Sequence, residues 1–124
     1  MLRNETRGLV LAERPVLARG PLARGLGLLG RAELPPGEAL ILAPCGSIHM
    51  FGMRFAIDAL FLDAHGVCLR VARGLRPWRI GPLVRGAAAV VELPAGGAGA
   101  TQPGDLVVWD PLRAPARGGR RPGP

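Results

Sequence analysis

The sequence has no lysine and no tyrosine, one serine, two cysteines, and only 4% aromatic residues in 124 positions. Two cysteines exclude a disulfide framework. A single serine, Ser47, lying in Gly46-Ser47-Ile48 without the glycine pattern of a nucleophile elbow, gives no serine-hydrolase signature. No phosphate-cradling Gly loop followed by Lys-Ser/Thr occurs, so nucleotide chemistry of that kind is excluded. Long apolar runs are also missing, and with them a membrane span. The first apolar stretch, Gly8 to Ala12, is broken by Glu13 and Arg14 and is too short for a signal-peptide core. A cytoplasmic protein is expected.

What is abundant is equally restrictive. Gly 19 and Pro 13 make up about a quarter of the chain, which argues against a helical bundle. Hydrophobic residues at 48% suffice for a core, built here from Leu, Val, Ile and Ala. All 16 basic residues are Arg and the net charge is +7, but four of them stand in the last twelve residues with no acid among them. Without that tail the balance is 12 Arg against 9 acids, or +3. Residues 111–124, Arg, Pro, Gly and Ala apart from Leu112, cannot bury enough apolar surface to offset ordering entropy and are expected to be a disordered basic tail. Weak electrostatic contact with polyanions is the most it implies; no aromatic-studded basic sheet supports a specific nucleic-acid role.

Strand patterns punctuate residues 1–110, read as a single domain. Gly8 to Glu13, Glu38 to Ala43, Phe55 to Leu62, Val67 to Ala72, Ala87 to Leu93 and Asp105 to Trp109 are expected strands. Phe55 to Leu62 is apolar on both faces, as a central strand requires. Asp63-Ala-His-Gly66 fits a type I turn making a hairpin with the strand after it. Gly20-Pro21 opens a short helix carrying Leu22, Leu26 and Leu29 on one face, ended by Gly30. Leu75 to Leu83, with Pro77, Gly81 and Pro82, is a loop or an edge strand. The expected fold is α+β weighted to β: a compact, antiparallel-dominated sheet or small partly open barrel of about six short strands with one short helix.

Two carboxylates interrupt apolar strands. Asp58 needs a partner if ionised, either a cation (His49, Arg70 or Arg79) or backbone amides that it would anchor. Glu92 reads as an edge-strand residue facing water or an ion-pair member. The string His49-Met-Phe-Gly-Met53-Arg54 fits either a core-lining loop or a pocket rim, to which Trp78 and Arg79 would add an aromatic wall and a second guanidinium. Cys45 and His49 have a C-x3-H spacing, but with His65 and Cys68 as the remaining candidates no metal or other cofactor is expected. Cys68 lies in a strand pattern as a buried thiol, and His65 in an exposed turn. Asn4-Glu5-Thr6 matches a glycosylation acceptor, a motif that chance supplies easily.

The ordered motifs Gly27-Leu-Leu-Gly-Arg31, Ile48 to Asp58, Phe61 to Gly66, Pro77-Trp-Arg79, Val91 to Gly96 and Gly104-Asp105 resemble the bacterial and archaeal family called domain of unknown function 192. The resemblance runs from about Val10 to Trp109. Its recurring positions fall on Arg31, Phe51, Met53, Asp58, Asp63, Gly66, Glu92, Gly96, Gly104 and Asp105, while Met50 and the stretch after Gly97 depart from it. It implies a small, mostly β domain and carries no activity or cofactor. On the residues alone, the expected function is a non-catalytic binding or interaction module. Its cleft, for a small polar or anionic ligand or a protein partner, would draw on His49, Met53, Arg54, Asp58, Trp78, Arg79 and Glu92. The alternatives are a hydrolase-type enzyme using Asp58 or Glu92 as general base, and weak polyanion binding by the tail.

Overall fold

The computed structural model describes residues 1–18, 34–43, 55–77 and 81–110. Among the described residues, eight strands form two sheets. β1 (Leu2–Asn4), β2 (Leu9–Ala12) and β8 (Val107–Trp109) make a three-stranded antiparallel sheet in the order β2-β1-β8. β3 (Arg14–Ala18), β4 (Glu38–Leu42), β5 (Ile57–Leu62), β6 (Cys68–Leu75) and β7 (Ala89–Pro94) make the second, ordered β3-β4-β7-β5-β6. Every pairing is antiparallel except β3 with β4. Neither sheet closes into a barrel. Among the described residues there is no helix; the expected helix from Pro21 to Gly30 and the tail at 111–124 lie outside them.

The burial pattern follows from two-sided packing. All six residues of β5 are buried, as are five of six in β7, so both strands are covered on both faces. Successive side chains alternate. Leu60, Leu62, Val91, Leu93, Ile41 and Leu17 therefore join Leu2, Ala12 and Val107 of the small sheet in one core layer. Ile57, Ala59, Phe61, Val90, Leu40 and Leu42 form the other, against which Leu34, Phe55, Leu75 and Val84 pack. The small sheet thus covers one face of the large sheet, and loop residues cover the second. A single residue, Glu13, separates β2 from β3, so the chain leaves one sheet and enters the other there.

Two strands differ from the sequence expectation. β1 is three residues long with two polar side chains, and β3 carries Pro15; neither pattern announces a strand. Pro15 is tolerated because β3 is an edge strand. β5 is interior as expected, yet the middle position belongs to β7.

The hairpin turn is built as its residues dictate. The Asp63 carboxylate accepts from the amides of His65 and Val67, and Gly66 N–H bonds the Asp63 carbonyl. The Val67 and His65 amides hold the Asp63 carboxyl below its usual range. Gly66 has φ +88°, and a Cβ there would stand 2.6 Å from the Val107 carbonyl oxygen of the small sheet. Gly66→Ala should therefore cost about 2 kcal/mol from backbone strain and the clash. In urea unfolding, that appears as a lower midpoint with an unchanged slope; an unmoved midpoint would show that the turn relaxes freely.

Candidate functional site

Asp58 and Glu92 stand on neighbouring strands but not in one cleft. Asp58 lies opposite Leu93, and Glu92 opposite Ala59. Because Leu93 and Ala59 belong to different core layers, the two carboxylates leave the sheet on opposite faces. A joint acid/base pair is excluded by that register.

Asp58, 1% exposed, faces the small-sheet side. Its Oδ1 accepts from Gly74 N–H at 2.9 Å and its Oδ2 from Ala98 N–H at 3.0 Å. Gly74, at φ +61°, lies in a stretch of β6 where the register slips between Ile57 and Ala59, so β6 carries one more residue than β5. The extra residue turns an amide away from the ladder, and Asp58 receives it. Next to it, Arg73 donates through Nη1 to Gly99 O (2.8 Å) and through Nη2 to Thr101 O (2.7 Å). Asp58 and Arg73 together staple the 95–104 loop to β6. The partners of Asp58 are thus amides, and Arg70 is not among them.

Glu92 is placed differently from the expectation. It lies in the middle strand of the large sheet, 6% exposed, between Leu40 and Ala59. It is neither an edge residue facing water nor, among the described residues, part of an ion pair. Its Oε1 is buried with no hydrogen-bond partner. Burial alone pushes its carboxyl up to about 7. Such a group costs stability.

A third polar cluster escapes sequence reasoning. Asn4, fully buried, donates to Thr101 Oγ1 (3.0 Å) and Asp105 Oδ2 (2.9 Å), while its own Oδ1 accepts from Arg7 N–H. Arg7 Nε and Gln102 N–H reach the same Asp105 oxygen. Asn4 first, then Arg7 and the Gln102 amide, hold the Asp105 carboxyl down at about 2. The network ties β1 to the loop before β8 and is structural. With Asn4 enclosed this way, the Asn4-Glu5-Thr6 acceptor is inaccessible in the folded protein. Its one sequence signal is Asn4 occupying the inward position two residues after Leu2.

Cys68 is buried, bonds Arg70 O weakly at 3.5 Å, and burial pushes its thiol up to about 11, which leaves it inert. His65 is exposed. His49, Met53, Arg54, Trp78 and Arg79, with Cys45 and Ser47, lie outside the described residues. Among the described residues no group of three metal-ligating side chains comes together.

Comparison with known proteins bears on these positions. The family model for domain of unknown function 192, described as an uncharacterised ACR, matches residues 4–109. The chain belongs to this family. A relative from Thermococcus sibiricus, named UPF0127 protein, is 34% identical over 103 residues, covering 77% of this chain. The chain spans 64% of that relative's length. A crystal structure of a Novosphingobium aromaticivorans protein of unknown function is 27% identical, with TM-score 0.70, over 77% of this chain and 74% of that one. A Sinorhizobium meliloti protein with a proposed role in transcription regulation has TM-score 0.66 over 76% and 79% of the two chains; at 24% identity the likeness is one of fold. This is an uncharacterised conserved domain, mainly β, with archaeal and bacterial relatives. Among the described residues no helix is long and apolar enough to cross a membrane.

Proposed function

We propose that this family member is a non-catalytic binding module whose polar site centres on Glu92. The observation that carries the reading is the buried, unpartnered Oε1 in the middle of a sheet whose other buried carboxylate is fully bonded. An acceptor desolvated at a cost to the fold is pre-organised for a small polar ligand that brings the missing donor. His49, Met53, Arg54, Trp78 and Arg79 are the further side chains the sequence offers to such a site. Asp58 enters as a positioning residue for the β6 bulge and the 95–104 loop, not as a ligand contact. A cytoplasmic setting suits a chain whose Cys68 is a free thiol.

A thermal-shift screen of wild type, Glu92→Gln and Asp58→Asn against metals, nucleotides, sugars, small acids and amines tests this reading. A ligand that raises the midpoint of wild type and Asp58→Asn but not of Glu92→Gln is the expected result. Equal stabilisation of all three would put binding elsewhere.

One observation favours a second reading, a hydrolase-type enzyme with Glu92 as general base: its carboxyl sits near 7, where proton transfer in both directions is easy. Hydrolytic turnover that Glu92→Gln abolishes would establish it. Asp58 is the poorer base, because both of its oxygens already accept backbone amides.

A further inference from the structure

The large sheet ends at β6, its longest strand. Within β6 only Cys68 is bonded outward among the described residues: its N–H donates to Asp105 O and its carbonyl accepts from Gly104 N–H, both at 2.7 Å. From Leu69 to Leu75 no backbone bond leaves the outer side among the described residues. Proline, which interrupts the opposite edge at Pro15, is absent from β6. Such an edge offers alternate N–H and C=O groups to one more extended backbone.

The edge is also basic. Arg70, Arg73 and Arg76 recur at every third residue, and all three are exposed. Exposed Arg85 stands next to Gly86, where a Cβ would lie 3.8 Å from Leu69 Cδ1 of β6. Alternation puts Arg70 on the face of Ala72 and Arg73 on the face of the small sheet, so guanidiniums flank the edge on both sides. Arg73 meets only neutral carbonyls, and the guanidiniums of Arg70, Arg76 and Arg85 have no partner among the described residues. The nearby carboxylates are occupied: Asp58 and Asp63 by backbone amides, Asp105 by Asn4 and Arg7. A second copy of β6 would bring arginine against arginine, which disfavours self-pairing. A nucleic acid matches the charge but has no peptide groups for the ladder, and β6 carries no aromatic side chain for base stacking. We propose that the β6 edge docks an acidic, extended segment of a protein partner, added as a further strand with its carboxylates on Arg70 and Arg76. This surface is separate from Glu92 and does not rest on the reading of that residue.

The probe is a fluorescein-labelled peptide, Thr-Glu-Val-Thr-Glu-Val-Thr-Glu, whose acids repeat every third residue as the arginines do. Its binding to the full chain is followed by anisotropy in about 50 mM salt, where exposed charges are less screened. The comparison probes are the same peptide with Gln for Glu, the Glu peptide N-methylated at its three Glu residues, and a single-stranded oligothymidine. N-methylation there removes amide donors at odd and even positions and keeps the charge. The variant carries Arg70→Gln and Arg76→Gln, and thermal melting confirms that it is folded. The Glu peptide is expected to bind wild type with Kd on the order of 100 µM and the variant about tenfold more weakly, with the Gln and N-methylated peptides weakened on wild type to a similar degree. Undiminished binding of the N-methylated peptide would overturn strand addition, and undiminished binding of the Gln peptide would overturn the acidic partner. Oligothymidine binding as tightly, with the same dependence on Arg70 and Arg76, would make the edge a general polyanion surface and contradict the assignment. Unchanged affinity in the variant, or no binding by about 1 mM, would contradict it outright.

Discussion

Replacing Asp58 by alanine should lower stability by about 3 kcal/mol, the larger part of it lost through two backbone amides. Hydrogen bonds to a charged acceptor contribute roughly 1.5–3 kcal/mol each, and the desolvation of the native carboxylate offsets part of the sum. Removing the side chain leaves Gly74 N–H in a strand bulge and Ala98 N–H beside a fully buried residue, with no carboxylate to take either. Asp58→Asn should fall between wild type and alanine, since one amide oxygen can serve one of the two donors. The loss has a location as well as a size. The 95–104 loop would be held to β6 by Arg73 and, at its far end, by Gly104 N–H on the Cys68 carbonyl, so hydrogen exchange at Gly74 and Ala98 should accelerate well before that in the β5–β7 ladder. A loss below about 1 kcal/mol, with exchange unchanged at both amides, would show that the loop does not depend on the carboxylate.

Glu92→Gln should act in the opposite direction, by an amount that grows as pH rises above 4.5 and is complete above about 7. Burial raises the Glu92 carboxyl from 4.5 to about 7. The folded state therefore holds this proton more tightly than the unfolded chain does, and between those two values unfolding releases it. Wild-type stability consequently falls as pH rises through that window, with the whole penalty present above about 7. A shift of this size corresponds to roughly 3 kcal/mol. Glutamine carries no charge at any pH. Between about pH 4 and pH 8 the stability difference should move by roughly 3 kcal/mol in favour of the variant, on the order of 10 °C in midpoint. Asp105 is held low instead of high, so its contribution is present above 3.8 and fades towards about 2; common to both proteins, it cancels in the difference. Parallel profiles for the two proteins would mean that Glu92 is solvated or paired.

The hairpin of β5 and β6 was legible because each of its parts has a local cause. Ile57 to Leu62 is a continuous apolar run, and Asp63 and Gly66 occupy the positions that a type I turn assigns to them. β2, β4, β7 and β8 are read from similar runs. β1 and β3 were not, because three residues with two polar side chains, or five containing Pro15, acquire strand character only from neighbours distant in sequence. Long-range pairing also explains the misplacement of Glu92. The strand bearing it lies late in the chain, and only the order β3-β4-β7-β5-β6 puts it in the middle. Asp58 was legible as a carboxylate out of place, yet its partners are backbone amides, which no residue type advertises. The Asn4–Asp105 bond joins positions 101 apart in sequence and leaves no local trace. His49, Met53, Arg54, Trp78 and Arg79 are site candidates by side-chain chemistry and lie outside the described residues.

The central claim is that Glu92 is a buried carboxylate awaiting a donor. A carbon-13 NMR titration of its side-chain carboxyl carbon, assigned by its disappearance in Glu92→Gln, measures this directly in the free protein. A midpoint near 7 is predicted. A midpoint at the ordinary value of 4.5 would contradict the claim, and the binding site built on Glu92 would go with it.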